Sequence, residues 1–401
     1  MKVNVLILVC TLVAFGVAAE PAVAQKAYDP GASDTVIKIG NTVAYSGPAS
    51  AYGTLGKADA AYFDMVNANG GINGRKIEFI SRDDAFSPPK TVEQTRRLVE
   101  EDGVLFVFNA LGTAPNSAVQ KYLNNAKVPQ LFIAAGGRKF TDIANFPWTM
   151  ALQPNFNIEA KIYAKFILSE HPDAKIAVLY QGDDLGRDYL SGLKEGLGEK
   201  ARTMIVGEVP YQITDATIDS QMVTLKATGA NVFFSASTPK FAAQALRKAA
   251  ELGWKPLHIL TGGVSSVGAV LKPAGLENCI GAISATASKD VTDPKWHNDP
   301  GYLAWAAWMK KYYPQGDMSD GLNAGAYTAS EVIVQVLKQA GDNLTRENVM
   351  KQALNLDFQP TMLLPGIRVK TTPTQSAPVT SMQLQRFDGK HWELFGGIIT
   401  Q

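Results

Sequence analysis

Hydrophobic residues along this chain follow two different spacings. Short runs of β-branched and aromatic residues predict buried strands, and apolar residues spaced three and four apart predict amphipathic helices. The first such run covers residues 36–41, and a turn-rich segment separates it from the first helical pattern. In that pattern the apolar residues on one face are Ala58, Ala61, Tyr62, Met65 and Val66. Strands that alternate with helices in this way are typical of βα units around a parallel sheet.

The alternation falls into two series, which predict an α/β protein with two similar lobes. Further strands of the first series are predicted at 76–81, 104–108 and 130–133. The second series begins near Gln153, with strands predicted at 175–180 and 232–235 and a helix at 241–252. The remaining predicted elements are a helix around Trp305 and Trp308, a helix at 327–339, and strands at 383–387 and 392–399. The spacing of the two tryptophans favours a buried helix face over an exposed docking surface.

Composition narrows the class of protein. The chain has 401 residues, of which 46% are hydrophobic and 19% are charged, with 38 basic and 37 acidic side chains. This apolar content excludes a disordered chain. The near-neutral charge balance, without a basic stretch, excludes a dedicated nucleic-acid binder. The length suggests two domains, each large enough to bury a core.

The first 24 residues carry the features of a secretory signal peptide. Lys2 precedes an apolar run over residues 3–19, and Ala22-Val23-Ala24 forms a small-residue cleavage site. The run is too short for a membrane anchor, because a spanning helix needs about 20 apolar residues. Cleavage after this site would remove Cys10, leaving Cys279 as the one thiol of the mature chain and no internal disulfide. We therefore expect a soluble exported protein, most simply one in a bacterial periplasm.

Signals for catalytic chemistry are sparse. The histidines lack both metal-ligand spacing and a nearby acid-base partner; they are His171, His258, His297 and His391. The sequence contains no nucleophile elbow, phosphate-binding loop or complete dinucleotide-binding motif. It therefore predicts neither an enzyme nor a metal or organic cofactor.

Two acidic pairs leave a catalytic alternative open. Asp83-Asp84 and Asp183-Asp184 each lie in a loop after a predicted strand. Carboxylates at such positions cap helices or face solvent in most proteins, and we favour that interpretation here. The alternative is a metal-binding or catalytic role in an exported enzyme.

Three loops between a strand and a helix are rich in small residues. They cover residues 45–53, 110–116 and 134–138. In a parallel sheet such loops gather at the carboxyl ends of the strands, where ligands bind. Gly112 and Thr113 lie just before a helical segment that begins near Pro115, and a helix N-terminus attracts anions. We expect a carboxylate site there, with ordinary tight turns as the alternative.

These loops and their neighbours resemble a known family. Ser46-Gly47-Pro48, the segment Asn-Ala-Asn-Gly-Gly-Ile-Asn-Gly-Arg at 67–75, and the stretch from Tyr180 to Asp188 are similar to the leucine/isoleucine/valine-binding proteins of ABC importers. The resemblance covers nearly the whole mature chain. It implies the type I periplasmic-binding fold: two Rossmann-like lobes with parallel central sheets, joined by three hinge crossings and closing on a ligand. It also implies a monomer that delivers its ligand to an ABC permease in the inner membrane.

The resemblance also implies a division of the chain and a ligand site. Residues 33–153 and 284–361 would form the first lobe, and residues 154–283 and 362–401 the second. The ligand site carried over from the family, with Phe156 added as apolar surface, comprises Tyr52, Leu111, Gly112, Thr113, Ala135, Gly136, Gly137, Arg138, Phe156, Leu185, Ser237 and Gly263. Leu111, Gly112 and Thr113 would form the turn that holds a carboxylate.

Two departures from the family shape the expected ligand. Gly263 or a neighbour stands where amino-acid binders place an acidic residue, and an ammonium enclosed without an anion costs several kcal/mol. Arg138 stands where they place a small hydroxyl residue, and its guanidinium suits a carboxylate. The alternative is that Arg138 points outward.

The preferred ligand is therefore a monocarboxylate with an aromatic or aliphatic body and no α-ammonium. Binding of branched-chain amino acids is the alternative for the same type of importer. A ligand-sensing receptor protein of the same fold is a second alternative. An exported enzyme that uses the aspartate pairs is the most distant one.

Overall fold

A computed structural model describes residues 26–400 of the chain. The predicted signal peptide at 1–24 lies outside the described residues. The strands are β1 (Ala27–Tyr28), β2 (Val36–Val43), β3 (Lys76–Asp83), β4 (Phe106–Phe108), β5 (Gln130–Ile133), β6 (Thr149–Ala151), β7 (Ile176–Gln181), β8 (Ile205–Tyr211), β9 (Val232–Ala236), β10 (Leu257–Leu260), β11 (Ile283–Thr286), β12 (Asn343–Leu344), β13 (Asp357–Phe358), β14 (Val369–Lys370), β15 (Ser381–Phe387) and β16 (Trp392–Thr400). The α-helices are α1 (Gly53–Ala68), α2 (Pro88–Arg96), α3 (Thr113–Asn125), α4 (Phe156–Glu170), α5 (Asp184–Leu197), α6 (Ala201–Met204), α7 (Asp219–Ala227), α8 (Pro239–Glu251), α9 (Lys272–Ala274), α10 (Pro300–Tyr312), α11 (Gly321–Ala340) and α12 (Arg346–Ala353).

Two large sheets organise these elements. The first has the strand order β3-β2-β4-β5-β6, with every pair parallel. The second has the order β16-β15-β11-β10-β9-β7-β8. Its pairs from β11 to β8 are parallel, and β15 and β16 extend it as an antiparallel ribbon. The predicted α/β class with parallel central sheets is confirmed.

The chain passes between the two sheets three times. It leaves the first sheet after β6, returns from the second after β11, and enters the second again at β15. Between the last two passages, α10 and α11 pack in the first core, as do Met362, Leu364, Val369 and Val379. The lobe boundaries drawn from the sequence stay a prediction.

The aromatic helix around Trp305 and Trp308 belongs to the interior. Both tryptophans are buried in the first core, which confirms the prediction made from their spacing. The Trp308 ring lies 5.0 Å from that of Tyr327 and 6.3 Å from that of Tyr62. This cluster fastens α10 and α11 to α1, the helix that follows the first small-residue loop. Within residues 26–400, none of the helices has the length and hydrophobicity needed to cross a bilayer.

Candidate functional site

Two adjoining cavities lie between the sheets. The smaller, about 50 Å³, is the α3 cavity, because it lies at the N-terminus of that helix. The larger, about 230 Å³, is the crossing cavity, because residues of all three passages between the sheets line it. Six residues line both: Leu55, Ala134, Gln153, Tyr189, Gly263 and Leu322. The two cavities therefore adjoin along shared walls, and they form a narrow and a wide compartment of the cleft.

The narrow compartment ends on an unusual turn. Gly112 precedes α3 with φ 90° and ψ 151°, a conformation that is essentially restricted to glycine. A Cβ atom at this position would lie 2.4 Å from the ring of Phe86. Asn116 fixes the turn from inside the helix, because its side-chain amide donates to the carbonyls of Ala110 and Gly112.

Thr113 is the first residue of α3 and carries a hydroxyl without a partner. Its side chain is fully buried, it lines the α3 cavity, and its Oγ1 has no hydrogen-bond partner among residues 26–400. Leaving a buried hydroxyl unpaired costs about 1–3 kcal/mol. Since the N-terminus of α3 also carries a partial positive charge, the electrostatics of this position favour an anion over a cation.

Aromatic rings form the rest of the wall of the α3 cavity. Phe156 stacks on Tyr189, with ring centroids 4.6 Å apart and an interplanar angle of 22°. Tyr52 approaches from the first sheet, and its hydroxyl donates to the carbonyl of Gly263 over 3.2 Å. Leu185 is buried beside them. The α3 cavity thus joins one polar end to an apolar body.

Most of the residues expected from the sequence lie together at this cavity. Those that line it are Tyr52, Leu111, Gly112, Thr113, Ala135, Phe156, Leu185, Ser237 and Gly263. Gly136 and Gly137 are not among its described lining residues. They lie just behind the wall, where a Cβ atom would meet the Pro154 carbonyl and the Thr113 methyl group, respectively.

Arg138 lies outside both cavities as described. Its backbone N–H donates to the Asp188 carboxylate over 2.8 Å, which turns the residue toward α5. Its guanidinium is 62% exposed and lies 3.8 Å from Glu195. The outward alternative stated for this side chain is therefore the one that the structure adopts.

Glu159 is a cleft residue that the sequence reasoning missed. It is buried on α4 and lines the crossing cavity. Its carboxylate accepts hydrogen bonds from the Tyr163 and Tyr189 hydroxyls and from the Gly262 N–H, and burial raises its pKa. A signal existed, because Glu159 interrupts the apolar stripe that Phe156, Ala160 and Tyr163 form on this helix.

The aspartate pairs are occupied by local structure. Asp83 accepts from the Tyr45 N–H, and Asp84 from the Phe86 N–H. Asp183 caps α5, while Asp184 forms ion pairs with Lys139 and Arg187. Across the described part of the chain, no group of three or more His, Cys, Asp or Glu side chains could hold a metal ion.

Polar contacts close the cleft on two sides. On one side, the Lys139 ammonium lies 2.7 Å from the Asp184 carboxylate. On the other, the Ser266 hydroxyl donates to Asp320 over 2.8 Å, and the Gly268 N–H donates to the Ser319 carbonyl over 2.9 Å. The structure therefore has the two halves of the cleft in contact.

Asp59 is a buried carboxyl behind the crossing cavity. It accepts from the Asn109 side chain over 2.8 Å and from the Ser330 hydroxyl over 2.9 Å, and Asn109 lines the cavity. Burial raises the pKa of Asp59 to about 8, whereas an unfolded chain has an aspartate pKa of about 3.9. Between these values the folded protein holds a proton that the unfolded chain has lost. Stability therefore falls as pH rises through this window.

We expect Asp59→Asn to remove this pH dependence. The variant should melt above the wild type at pH 8, and the gap should shrink toward pH 5, since the neutral amide needs no proton and can donate to Ser330. Calorimetry between pH 5 and 8 measures this difference in melting temperature. Asp64→Asn, on the exposed face of the same helix, is the control. A gap that stays constant with pH would contradict the prediction.

Comparison with known proteins places this architecture in a family. A model described as "Periplasmic binding protein" matches residues 36–391. This chain belongs to the periplasmic binding protein family. The match confirms the resemblance found in the sequence, and members of the family bind small-molecule ligands.

Relatives and solved structures agree with this assignment. Leu/Ile/Val-binding protein homolog 7 of Brucella abortus is 25% identical over 394 residues, covering 94% of each chain. A branched-chain amino acid ABC transporter structure from Thermus thermophilus, with bound valine, has a TM-score of 0.82 at 16% identity and covers 92% of this chain and 98% of its own. A solute-binding protein of an ABC transporter from R. palustris, in complex with 4-hydroxybenzoate, has a TM-score of 0.75 at 19% identity, with coverages of 91% and 97%. The predicted type I periplasmic-binding fold is thereby confirmed.

Proposed function

We propose that this periplasmic binding protein captures a small carboxylate in the cleft and delivers it to an ABC permease in the inner membrane. In this proposal it acts as a monomer, is exported by its signal peptide, and makes or breaks no covalent bond. The observation that carries the proposal is the unpartnered Thr113 hydroxyl, buried at the N-terminus of α3 and lining the cavity.

A carboxylate satisfies this position in two ways. It accepts a hydrogen bond from the Thr113 hydroxyl, and such bonds to a charged group contribute about 1.5–3 kcal/mol. It also interacts favourably with the partial positive charge at the start of α3. The sequence predicts that Arg138 helps to bind the carboxylate, but its guanidinium lies at the surface. In this proposal Thr113 and the N-terminus of α3 bind the carboxylate without it.

The lining of the α3 cavity favours an acid without an α-ammonium. An α-ammonium lies next to its carboxylate, so it would have to share the narrow compartment. None of the described residues that line this compartment is acidic. A cation enclosed there would lack a counter-ion, whereas an aromatic or aliphatic body would contact Tyr52, Phe156 and Leu185. The 4-hydroxybenzoate held by the R. palustris protein is an acid of the preferred kind.

Branched-chain amino acids are the second candidate, and one observation favours them. Glu159 is an acidic residue in the cleft, although it lines the wide compartment and already accepts three hydrogen bonds. An amino acid whose carboxylate lay away from Thr113 would bring its ammonium to Glu159. The valine in the Thermus thermophilus structure shows that this fold accepts such ligands.

Calorimetric titration of the ligand-stripped protein distinguishes the two candidates. The first panel contains benzoate, 3-phenylpropanoate and octanoate, and the second contains leucine, isoleucine and valine. Benzamide is the matched control, since it keeps the ring and removes the charge. We expect heat from the first panel, and a melting point that rises with ligand concentration. Heat from the amino acids alone would favour the second candidate, and equal binding of benzamide and benzoate would contradict the carboxylate site.

A further inference from the structure

The crossing cavity is much larger than the carboxylate that we propose Thr113 to bind. We propose that it receives the distal part of the same ligand, and that Glu159 accepts a hydrogen bond from a donor on that part. This inference rests on the proposed function, because it assumes the carboxylate at the N-terminus of α3. It defines the ligand as an elongated acid with a ring or chain body and a distal hydroxyl.

The volumes set the length of this ligand. The α3 cavity, about 50 Å³, has room for a carboxylate and the first atoms of the body, which contact Tyr52, Phe156 and Leu185. The crossing cavity is about 230 Å³, whereas an apolar cavity of about 150 Å³ in another protein binds benzene. An acid as short as propanoate would leave the wide compartment unfilled.

The two compartments share walls, and the proposed ligand would extend along these walls from one to the other. Leu55 and Leu322 reach both from the first sheet's side, and Gly263 reaches both from the second. Tyr189 also lines both, and its hydroxyl donates to Glu159 over 2.8 Å. A body that leaves Thr113 past the Tyr189 ring therefore comes next to the Glu159 carboxylate.

The wide compartment has both apolar and polar walls, and two carboxylates line it, Glu159 and Asp290. Its apolar lining includes Leu152, Val267, Ala285, Leu363, Val379 and Met382. Lys289 lines it too, but its ammonium is engaged by the Asp299 carboxylate and the Thr361 carbonyl. Asp290 accepts from the backbone N–H and hydroxyl of Thr292 and from the Trp392 N–H. Glu159 accepts three hydrogen bonds where a carboxylate has about four acceptor sites. One site is left for a donor on the ligand.

Gly325 gives direct access to the wide compartment. It lies within α11 and lines the crossing cavity, and a Cβ atom built on it meets no other atom within 4 Å. Gly325 is exposed at the edge of the cavity, so a larger side chain there can reach over the wide compartment without disturbing the packing of the helix. Replacement of glycine inside a helix also favours the helical state.

The first experiment compares acids of different length on the Gly325→Leu variant. We expect its dissociation constant for 3-phenylpropanoate to rise about tenfold or more, because the leucine occupies the space of the ring. The constant for propanoate should change less than about twofold, since propanoate stays at α3. Lys338→Leu, on the exposed part of the same helix, is the control for added apolar surface. An unchanged affinity for 3-phenylpropanoate would overturn the inference.

The second experiment tests Glu159 as the hydrogen-bond acceptor, with two ligands that differ by one hydroxyl group. The wild type should bind 3-(4-hydroxyphenyl)propanoate at least about tenfold more tightly than 3-phenylpropanoate, as one hydrogen bond to a charged group implies. Glu159→Gln should reduce this ratio toward one. The amide oxygen of glutamine can still accept hydrogen bonds from Tyr163 and Gly262, but its NH2 group replaces the oxygen that would accept from the ligand. An equal ratio in both proteins would contradict the role of Glu159.

The outcomes separate this inference from the proposed function. If no carboxylate of any length binds the wild type, the proposed function fails. If propanoate and 3-phenylpropanoate bind equally well and Gly325→Leu alters neither, the carboxylate site stands and the distal subsite fails. A melting curve for each variant verifies that it is folded before its affinity is interpreted.

Discussion

Thr113→Val is expected to raise the dissociation constant for the bound carboxylate by about 10- to 100-fold, the equivalent of one hydrogen bond to a charged group. Valine has nearly the shape of threonine, so the apolar walls of the cavity keep their positions. The stability of the ligand-free protein should not fall, because the Thr113 hydroxyl has no partner to lose. Calorimetric titration with benzoate and a melting curve of the ligand-free variant measure the two effects.

The chain offers a matched control for this variant. Thr95 is also buried and its hydroxyl also lacks a partner among the described residues, but it lies on α2 away from both cavities. Thr95→Val should leave benzoate affinity within about twofold of the wild type, since it touches neither compartment. If Thr113→Val binds benzoate as tightly as Thr95→Val does, the ligand carboxylate lies elsewhere in the cleft.

Gly112→Ala is expected to abolish detectable binding and to lower the free energy of unfolding by about 2–4 kcal/mol. The backbone at this residue is in a region that alanine avoids, and the new Cβ would lie 2.4 Å from the Phe86 ring. If the ring moves to relieve this contact, the turn that precedes Thr113 moves with it. Denaturant unfolding and titration with benzoate give the two quantities.

Gly103→Ala is the control that separates the strain of a positive φ from the contact with the Phe86 ring. Gly103 also has a positive φ, 63°, but a Cβ atom there meets nothing within 4 Å. Its substitution should cost only about 1 kcal/mol and should leave ligand affinity intact. If the two variants lose the same free energy of unfolding, the Phe86 ring moves away from the new Cβ atom at no measurable cost, and the contact argument is wrong.

The sequence predicts the regular part of this fold well, because buried parallel strands have a strong pattern. The strand predicted at 130–133 has these bounds in the structure, and that at 36–41 extends to Val43. β8 escaped prediction, since Gly207 and Pro210 interrupt its pattern. Pro210 is tolerated because β8 is an edge strand, where a missing N–H breaks no ladder.

The candidate site could be predicted where it depends on the backbone and not where it depends on side-chain direction. Gly112 and Thr113 could be placed at the start of a helix because the small-residue loop precedes a helical pattern, and the structure has α3 beginning at Thr113. The Arg138 guanidinium lies at the surface near Glu195, on a helix far along the chain, and no local pattern records that contact. Glu159 belongs to a helix outside every glycine-rich loop, and its partners come from Tyr189 and Gly262.

The route of the chain between the sheets also governs how the protein acquires its structure. The first core combines residues from Ile37 to Leu152 with others from Val291 to Val379. The second sheet places β15 beside β11, nearly a hundred residues earlier in the chain. Each of these two cores is therefore completed only by residues near the C-terminus, and its completion depends on contacts between distant residues, which form slowly.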